Sequence, residues 1–155
     1  MFRRMARKAN SGQRYNRQMA SQLLLIEDDE VATYLTLKLL KSCGFGAEVD
    51  VVRDGIEAMQ YLTCQGPYVA RTTGNPSLIL LDLKLPHLDG FEVLKQVRSQ
   101  PALSCIPIFI LSASASDVDI YRSNLLGISK YIVKPLATED IAPEISQLLS
   151  SRTEG

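Results

Sequence analysis

The stretch that most constrains this chain runs from Leu78 to Gly90, LILLDLKLPHLDG. Leu78, Ile79, Leu80 and Leu81 form an unbroken apolar run, bounded upstream by Pro76 and Ser77. The run is too short for a typical helix and reads as a strand buried on both faces, as in a parallel sheet. It stops on a carboxylate, Asp82. Leu85-Pro86 and Asp89-Gly90 then turn the chain, Pro by fixing φ and Gly by tolerating φ above zero. Sites in open α/β sheets lie just outside the carboxyl ends of the strands. Asp82 is therefore a functional candidate, with a turn or helix-cap role as its alternative.

The other apolar segments fall into the same rhythm. Leu23 to Ile26 is a first strand and ends in the acidic run Glu27, Asp28, Asp29, Glu30. A helix follows with Val31, Leu35 and Leu39 on one stripe, stopped at Cys43-Gly44, where Gly suits the C-cap. Ala47, Val49 and Val51 alternate with Glu48 and Asp50, the pattern of an edge strand with one polar face. Asp54 can cap a helix through Ile56, Met59 and Leu62 to about Gln65, and a polar loop from Gly66 leads to Pro76. After the Leu78–Leu81 strand, a helix carries Phe91, Val93, Leu94 and Val97. Pro107 to Leu111 forms a fourth strand ending on Ser112. A helix from about Asp117 to Leu126 stops at Gly127. Tyr131 to Val133 forms a fifth strand ending on Lys134-Pro135, and a last helix carries Ile141, Ile145, Leu148 and Leu149. Pro143 inside that helix predicts an irregular first turn, or a start nearer Asp140. Five alternations of strand and helix predict a doubly wound (βα)5 domain with right-handed crossovers. The flavodoxin-like strand order 2-1-3-4-5 places strands one, three and four side by side.

Composition sets the bounds of the domain. The chain has 155 residues, suited to one domain, and an ordinary globular balance of 46% hydrophobic and 22% charged residues. No apolar run approaches the about 20 residues that span a bilayer, and the N-terminus lacks a signal-peptide core, so a soluble cytoplasmic protein is expected. Cys43, Cys64 and Cys105 are odd in number and form no CxxC pair, which fits reduced thiols. The net charge of zero hides an asymmetry. Arg3, Arg4, Arg7, Lys8, Arg14 and Arg17 precede residue 20 with no acid among them, leaving 11 basic against 17 acidic residues in the remainder. Residues 1–20 are thus expected to be a basic, disordered tail and 21–152 the domain.

The strand ends now define a site. Strand one delivers Glu27 and Asp28, strand three Asp82, strand four Ser112 and strand five Lys134, all to one edge of a parallel sheet. Converging carboxylates repel, so one must protonate unless a cation intervenes. Mg²⁺ fits, because it takes carboxylate oxygens and completes its shell with water and phosphate oxygens. An Asp can itself become the nucleophile and form an aspartyl phosphate, with Mg²⁺, Lys134 and the Ser112 hydroxyl meeting the phosphoryl charge. Singly, each residue has a plainer role as a helix start, a cap or a surface charge. Their convergence on one edge favours the site.

LLLIEDDE, LILLDLKLPHLDG, PIFILSAS and YIVKPL, in this order from Leu23 to Leu149, resemble the receiver domain of two-component response regulators. The resemblance implies Asp82 as the residue phosphorylated by a sensor histidine kinase. It implies Asp28, Asp82 and the Lys84 backbone carbonyl as Mg²⁺ ligands, with Glu27 acting mainly through water. Ser112 would be the switch hydroxyl, Tyr131 the aromatic that turns inward with it, and Lys134 a phosphoryl-oxygen ligand followed by a cis peptide to Pro135. The loop before strand three and LDLKLP resemble the small stand-alone regulators paired with phytochrome-type kinases. Output would then pass through a protein partner or a phosphorelay, without an attached DNA-binding domain, and a homodimer is a further candidate partner. A phosphohydrolase using Asp82 is the competing enzyme reading. Such enzymes place a second acid two residues on, where this chain has Lys84, so a signalling switch rather than a turnover enzyme is expected.

Overall fold

Each apolar run becomes a strand because its residues have two covered faces to fill. A computed structural model describes residues 23–45 and 49–153. Strands β1 (Leu23–Ile26), β3 (Leu78–Leu81) and β4 (Ile108–Ser112) are buried along their whole length, while β2 (Val49–Val52) and β5 (Lys130–Val133) are only partly covered. All pair in parallel in the order β2-β1-β3-β4-β5, as expected. Ile26 lies opposite both Val52 and Leu81, so β1, β2 and β3 end level, and Leu81 lies opposite Ile110, so β4 runs on past them to Ser112.

Alternate residues of one strand enter different cores. Leu24, Ile26, Ile79 and Leu81 face helices α2 (Gly55–Leu62) and α3 (Gly90–Ser99), packing with Tyr61, Leu62, Val93, Leu94 and Val97. Leu23, Leu25, Leu78 and Leu80 face α1 (Glu30–Ser42) and α5 (Thr138–Thr153), packing with Leu40, Ile141 and Ile145. Helix α4 (Asp117–Leu125) differs. Its one fully buried residue is Ser123, while Val118, Tyr121 and Leu125 stand exposed.

Several details depart from the expected pattern. In α1 only Leu39 of the expected stripe packs against the core: Val31 and Leu35 are 67% and 56% exposed. Thr33, Thr36 and Leu40 are buried instead. Thr33 turns its hydroxyl onto the Asp29 carbonyl (2.7 Å), which satisfies the polar atom and frees its methyl for packing. In α2, Ile56 is exposed, Ala58, Tyr61 and Leu62 are buried, and the helix ends at Leu62, short of Gln65. β2 extends to Val52, its most buried residue, and Asp50 on its polar face accepts the Tyr61 hydroxyl at 2.6 Å. β4 begins at Ile108 and includes Ser112, and β5 begins at Lys130.

Helix α5 runs through Pro143 from Thr138, and its start is tightened. The Asp140 amide bonds the Ala137 carbonyl three residues back (3.1 Å), and the Asp140 carboxylate accepts from the Ala137 amide (2.8 Å). The loop after α2 opens with a 3-10 turn over Gly66–Tyr68 and is pinned by Arg71. That residue donates to the Tyr61 carbonyl (2.9 Å) and lies 4.2 Å over the Tyr61 ring. The basic tail, and Ala47 and Glu48 of the second strand, lie outside the described residues, as do the side chains of Leu148 and Leu149.

Candidate functional site

The loops at the carboxyl edge are fixed by their own caps. The Asp29 side chain caps α1 on the Ala32 amide (2.7 Å), Asp54 caps α2 on Glu57 (2.7 Å), and Asp89 caps α3 on Glu92 (3.0 Å). Asp54 thus has the capping role expected of it. These bonds settle helix donors that otherwise lack partners and set the angle at which each chain leaves its strand. The strand ends are held by backbone bonds: Asp82 N–H to the Ile26 carbonyl (3.0 Å), Glu27 N–H to Val52 (3.0 Å) and Lys134 N–H to Ser112 (2.8 Å).

Gly90 serves this edge through its size. A Cβ there would lie 2.5 Å from the Asp82 carbonyl oxygen and 2.6 Å from the Leu83 Cα, so only glycine lets α3 start against the loop leaving β3. Its φ is not positive, contrary to the turn role expected of it. The positive φ in that loop belongs to His87, at 66°. His87 is a loop residue as expected, with Nδ1 3.4 Å from the Asp54 carboxylate.

Carboxylate oxygens of Glu27, Asp28 and Asp82 lie within 4.8 Å of one another. Glu27 and Asp82 are buried, and Asp28 is open to solvent. The Lys134 ammonium lies 2.6 Å from Glu27 Oε2 and 3.4 Å from Asp82 Oδ2. The other oxygens of Glu27 and Asp82 take backbone donors: Glu27 Oε1 from Asp29 (3.1 Å) and Asp82 Oδ1 from Lys84 (3.1 Å). Burial pushes the Glu27 carboxyl up, the Asp82 charge adds to this, and the Lys134 hydrogen bond opposes it. Burial alone would lower the Lys134 ammonium, but its bond to Glu27 and the charge of Asp82 outweigh that and raise it. With all acids ionised, three carboxylates face one ammonium, a deficit that a divalent cation matches. The donors are all hard oxygens, which suits Mg²⁺ or Mn²⁺ rather than a thiophilic metal.

The remaining expected residues lie along the same edge. Ser112 is fully buried at the end of β4, where its hydroxyl accepts the Ser114 amide at 3.1 Å. The Tyr131 hydroxyl does not reach the acids and donates to the Ser114 carbonyl at 2.8 Å. The Lys134-Pro135 peptide is cis, as the resemblance implied. Lys84 meets the site through its amide. Ser114 and Asp119, which the sequence pattern did not single out as site residues, join this arrangement: the Ser114 hydroxyl donates to Asp119 Oδ2 at 2.7 Å. The run of serines from Ser112 to Ser116 is the only signal that could have pointed to them.

Comparison with known proteins finds one family in both sequence and fold. The family model of the response regulator receiver domain matches residues 23–146. The response regulator Rcp1 of Synechocystis is 36% identical over 119 residues, covering 77% of this chain and 80% of its own. Its Mn²⁺-bound crystal structure superposes with a TM-score of 0.70 at 34% identity, covering 84% of this chain and 92% of that one. The bacteriophytochrome response regulator RtBRR superposes with a TM-score of 0.76 at 44% identity, covering 84% and 78%. The phosphorylated cyanobacterial phytochrome response regulator RcpA does so at 0.71 and 35%, covering 86% and 94%.

Proposed function

The chain belongs to the response regulator receiver family, and from that membership we propose that it is a stand-alone two-component switch phosphorylated on Asp82. One observation carries the reading. Glu27, Asp28 and Asp82 meet within 4.8 Å at the carboxyl edge of the sheet, with the Lys134 ammonium against two of them.

In this reading the donor is a phosphohistidine of a sensor kinase. A carboxylate oxygen of Asp82 attacks phosphorus, the P–O bond forms, the P–N bond breaks, and the imidazole nitrogen keeps the electron pair. Glu27, Asp28, Asp82 and the Lys84 carbonyl would hold Mg²⁺, which supplies charge to the phosphoryl oxygens when bound. Lys134 leaves its contact with Asp82 to meet a phosphoryl oxygen, and the Ser112 hydroxyl donates to another. Tyr131 then follows Ser112 inward, shifting an equilibrium between two arrangements of the edge. The match to regulators named for phytochromes supports a phytochrome-type kinase as partner. Output passes to a protein or phosphotransfer partner, without DNA binding by this domain. A cytoplasmic location accords with the lack of any described helix long and apolar enough to cross a membrane.

The test is intact-mass analysis after incubation with acetyl phosphate and Mg²⁺. One phosphoryl group should appear, and it should vanish in EDTA and in Asp82→Asn. Full yield in either control would overturn the reading.

A further inference from the structure

Helix α4 is attached to the domain unlike its neighbours. Helices α1, α2 and α3 each begin with an Asp side chain capping their first turn. The residue before α4, Ser116, makes no such bond. Its amide donates instead to the hydroxyl of Ser114, two residues upstream (3.2 Å), and that hydroxyl in turn donates to Asp119 Oδ2 in the first turn (2.7 Å). Ser114 also gives its amide to the Ser112 hydroxyl (3.1 Å) and its carbonyl to the Tyr131 hydroxyl (2.8 Å). One residue thus ties together the end of β4, the face of β5 and the start of α4. Beyond these end contacts, Arg122 lies 3.9 Å over the Phe91 ring of α3. Ser123 is its one fully buried residue, and three of its large apolar side chains face solvent. A weakly packed helix depends on its end contacts, and such elements are the ones that open most readily.

We propose that Asp119, acting through Ser114, is a positioning residue that holds the β4–α4 loop and α4 in their resting arrangement. The inference rests on the proposed role of Ser112. The Ser112 hydroxyl cannot move toward a phosphoryl group without disturbing the Ser114 amide that it now holds. Displacing Ser114 then strains the Asp119 bond. The resting arrangement keeps that bond, so the bond opposes the phosphorylated state. By reciprocity, removing it favours whatever ligand prefers the released arrangement.

The test measures equilibrium binding of beryllium fluoride with Mg²⁺, a mimic of the phosphoryl group on Asp82, together with amide hydrogen exchange along α4 in EDTA. Asp119→Ala should bind beryllium fluoride several-fold more tightly than wild type, up to on the order of tenfold for one hydrogen bond to a carboxylate. Its α4 amides should exchange faster. Asp119→Asn keeps an acceptor and should behave as wild type in both. Ser114→Ala removes the bond from its other end and should match Asp119→Ala, which covers the case of an Asp119→Ala protein that does not fold. A helix that merely loosened would exchange faster without tighter binding, and unchanged or weaker binding in both alanine variants overturns the proposal. Equal behaviour of Asp119→Asn and Asp119→Ala also overturns it, by assigning the effect to charge at the helix start. Wild type that binds no beryllium fluoride and takes no phosphate would strike down the reading of Asp82. In that event, wild-type exchange rates in the Asp119→Ala helix would overturn the latch as well.

Discussion

At the scale of single residues, side chains are fixed by what burial does to a polar group. The Tyr61 hydroxyl donates to Asp50 at 2.6 Å, and the Tyr68 hydroxyl donates to Glu57 at 2.6 Å. Burial first, then those carboxylates, push both phenols well above their ordinary range. Their folded-state values exceed their unfolded ones, so the folded chain keeps protons that the unfolded chain would release. Stability from these groups is complete below about pH 10 and is lost as pH rises through the folded values. At about pH 11, the ultraviolet absorbance of tyrosinate should therefore report no more than four of the six tyrosines while the fold persists. Tyr61→Phe should leave that folded amplitude unchanged and cost about 1–2 kcal/mol for the lost bond to Asp50. Ionisation of all six before unfolding would show that the two phenols are not held as described. Neither bond was readable in the sequence, because each joins residues eleven apart through a turn whose path no periodicity reports. Glu27, Asp28, Asp82, Ser112 and Lys134 were readable because each ends an apolar run or lies within two residues after one, and a parallel sheet gathers such ends.

At the scale of elements, the inner strands were legible as apolar runs, and so were the buried faces of α3 (Phe91, Val93, Leu94, Val97) and α5 (Ile141, Ile145), whereas the face of α1 was not. A strand covered on both sides has no face to choose, so LLLI and LILL could be read directly. A helix must choose, and in α1 the choice went against hydrophobicity. Val31 and Leu35 lie outward while Thr33, Thr36 and Leu40 lie inward, because the angle set by the Asp29 cap and the crossover decides which side meets the sheet. Two substitutions separate the faces. Leu40→Ala empties a filled site in the core shared with Ile141 and Ile145, and should cost about 2–4 kcal/mol in chemical denaturation. Leu35→Ala should change stability by less than about 0.5 kcal/mol, the ordinary range for an exposed position. A large loss in Leu35→Ala would mean that the outward face of α1 is covered. Gly90 carries the same lesson at a helix start. The residue type was readable, but its purpose, contact with the Asp82 carbonyl, depends on how α3 approaches β3.

At the scale of the molecule, the sheet concentrates like charge at one edge, and the fold must bear the cost. Glu27, Asp28 and Asp82 converge within 4.8 Å, and Lys134 answers only part of their charge. Convergence exists only in the folded chain, so a cation that binds there binds the native state and stabilises it by mass action. At a hundredfold excess over its dissociation constant, Mg²⁺ should add about 2.7 kcal/mol. For a domain of this size that is a rise of about 5–10 °C in Tm. The carboxylates differ in what their removal does. Asp28 is exposed, so Asp28→Asn relieves repulsion at little packing cost, and the metal-free protein should melt no lower than wild type. The same variant should lose most of the Mg²⁺ increment. Asp82→Asn should do likewise, although its amide must replace the carboxylate that now accepts from Lys84 and faces Lys134. Thermal melts of the three proteins in EDTA and in saturating Mg²⁺ give the comparison. Equal increments in all three would place the cation elsewhere and leave the charge at this edge to Lys134 and solvent. A higher metal-free Tm in the Asn variants, with the increment gone, would mean that this edge is kept acidic at the expense of stability, for the chemistry of its ligand.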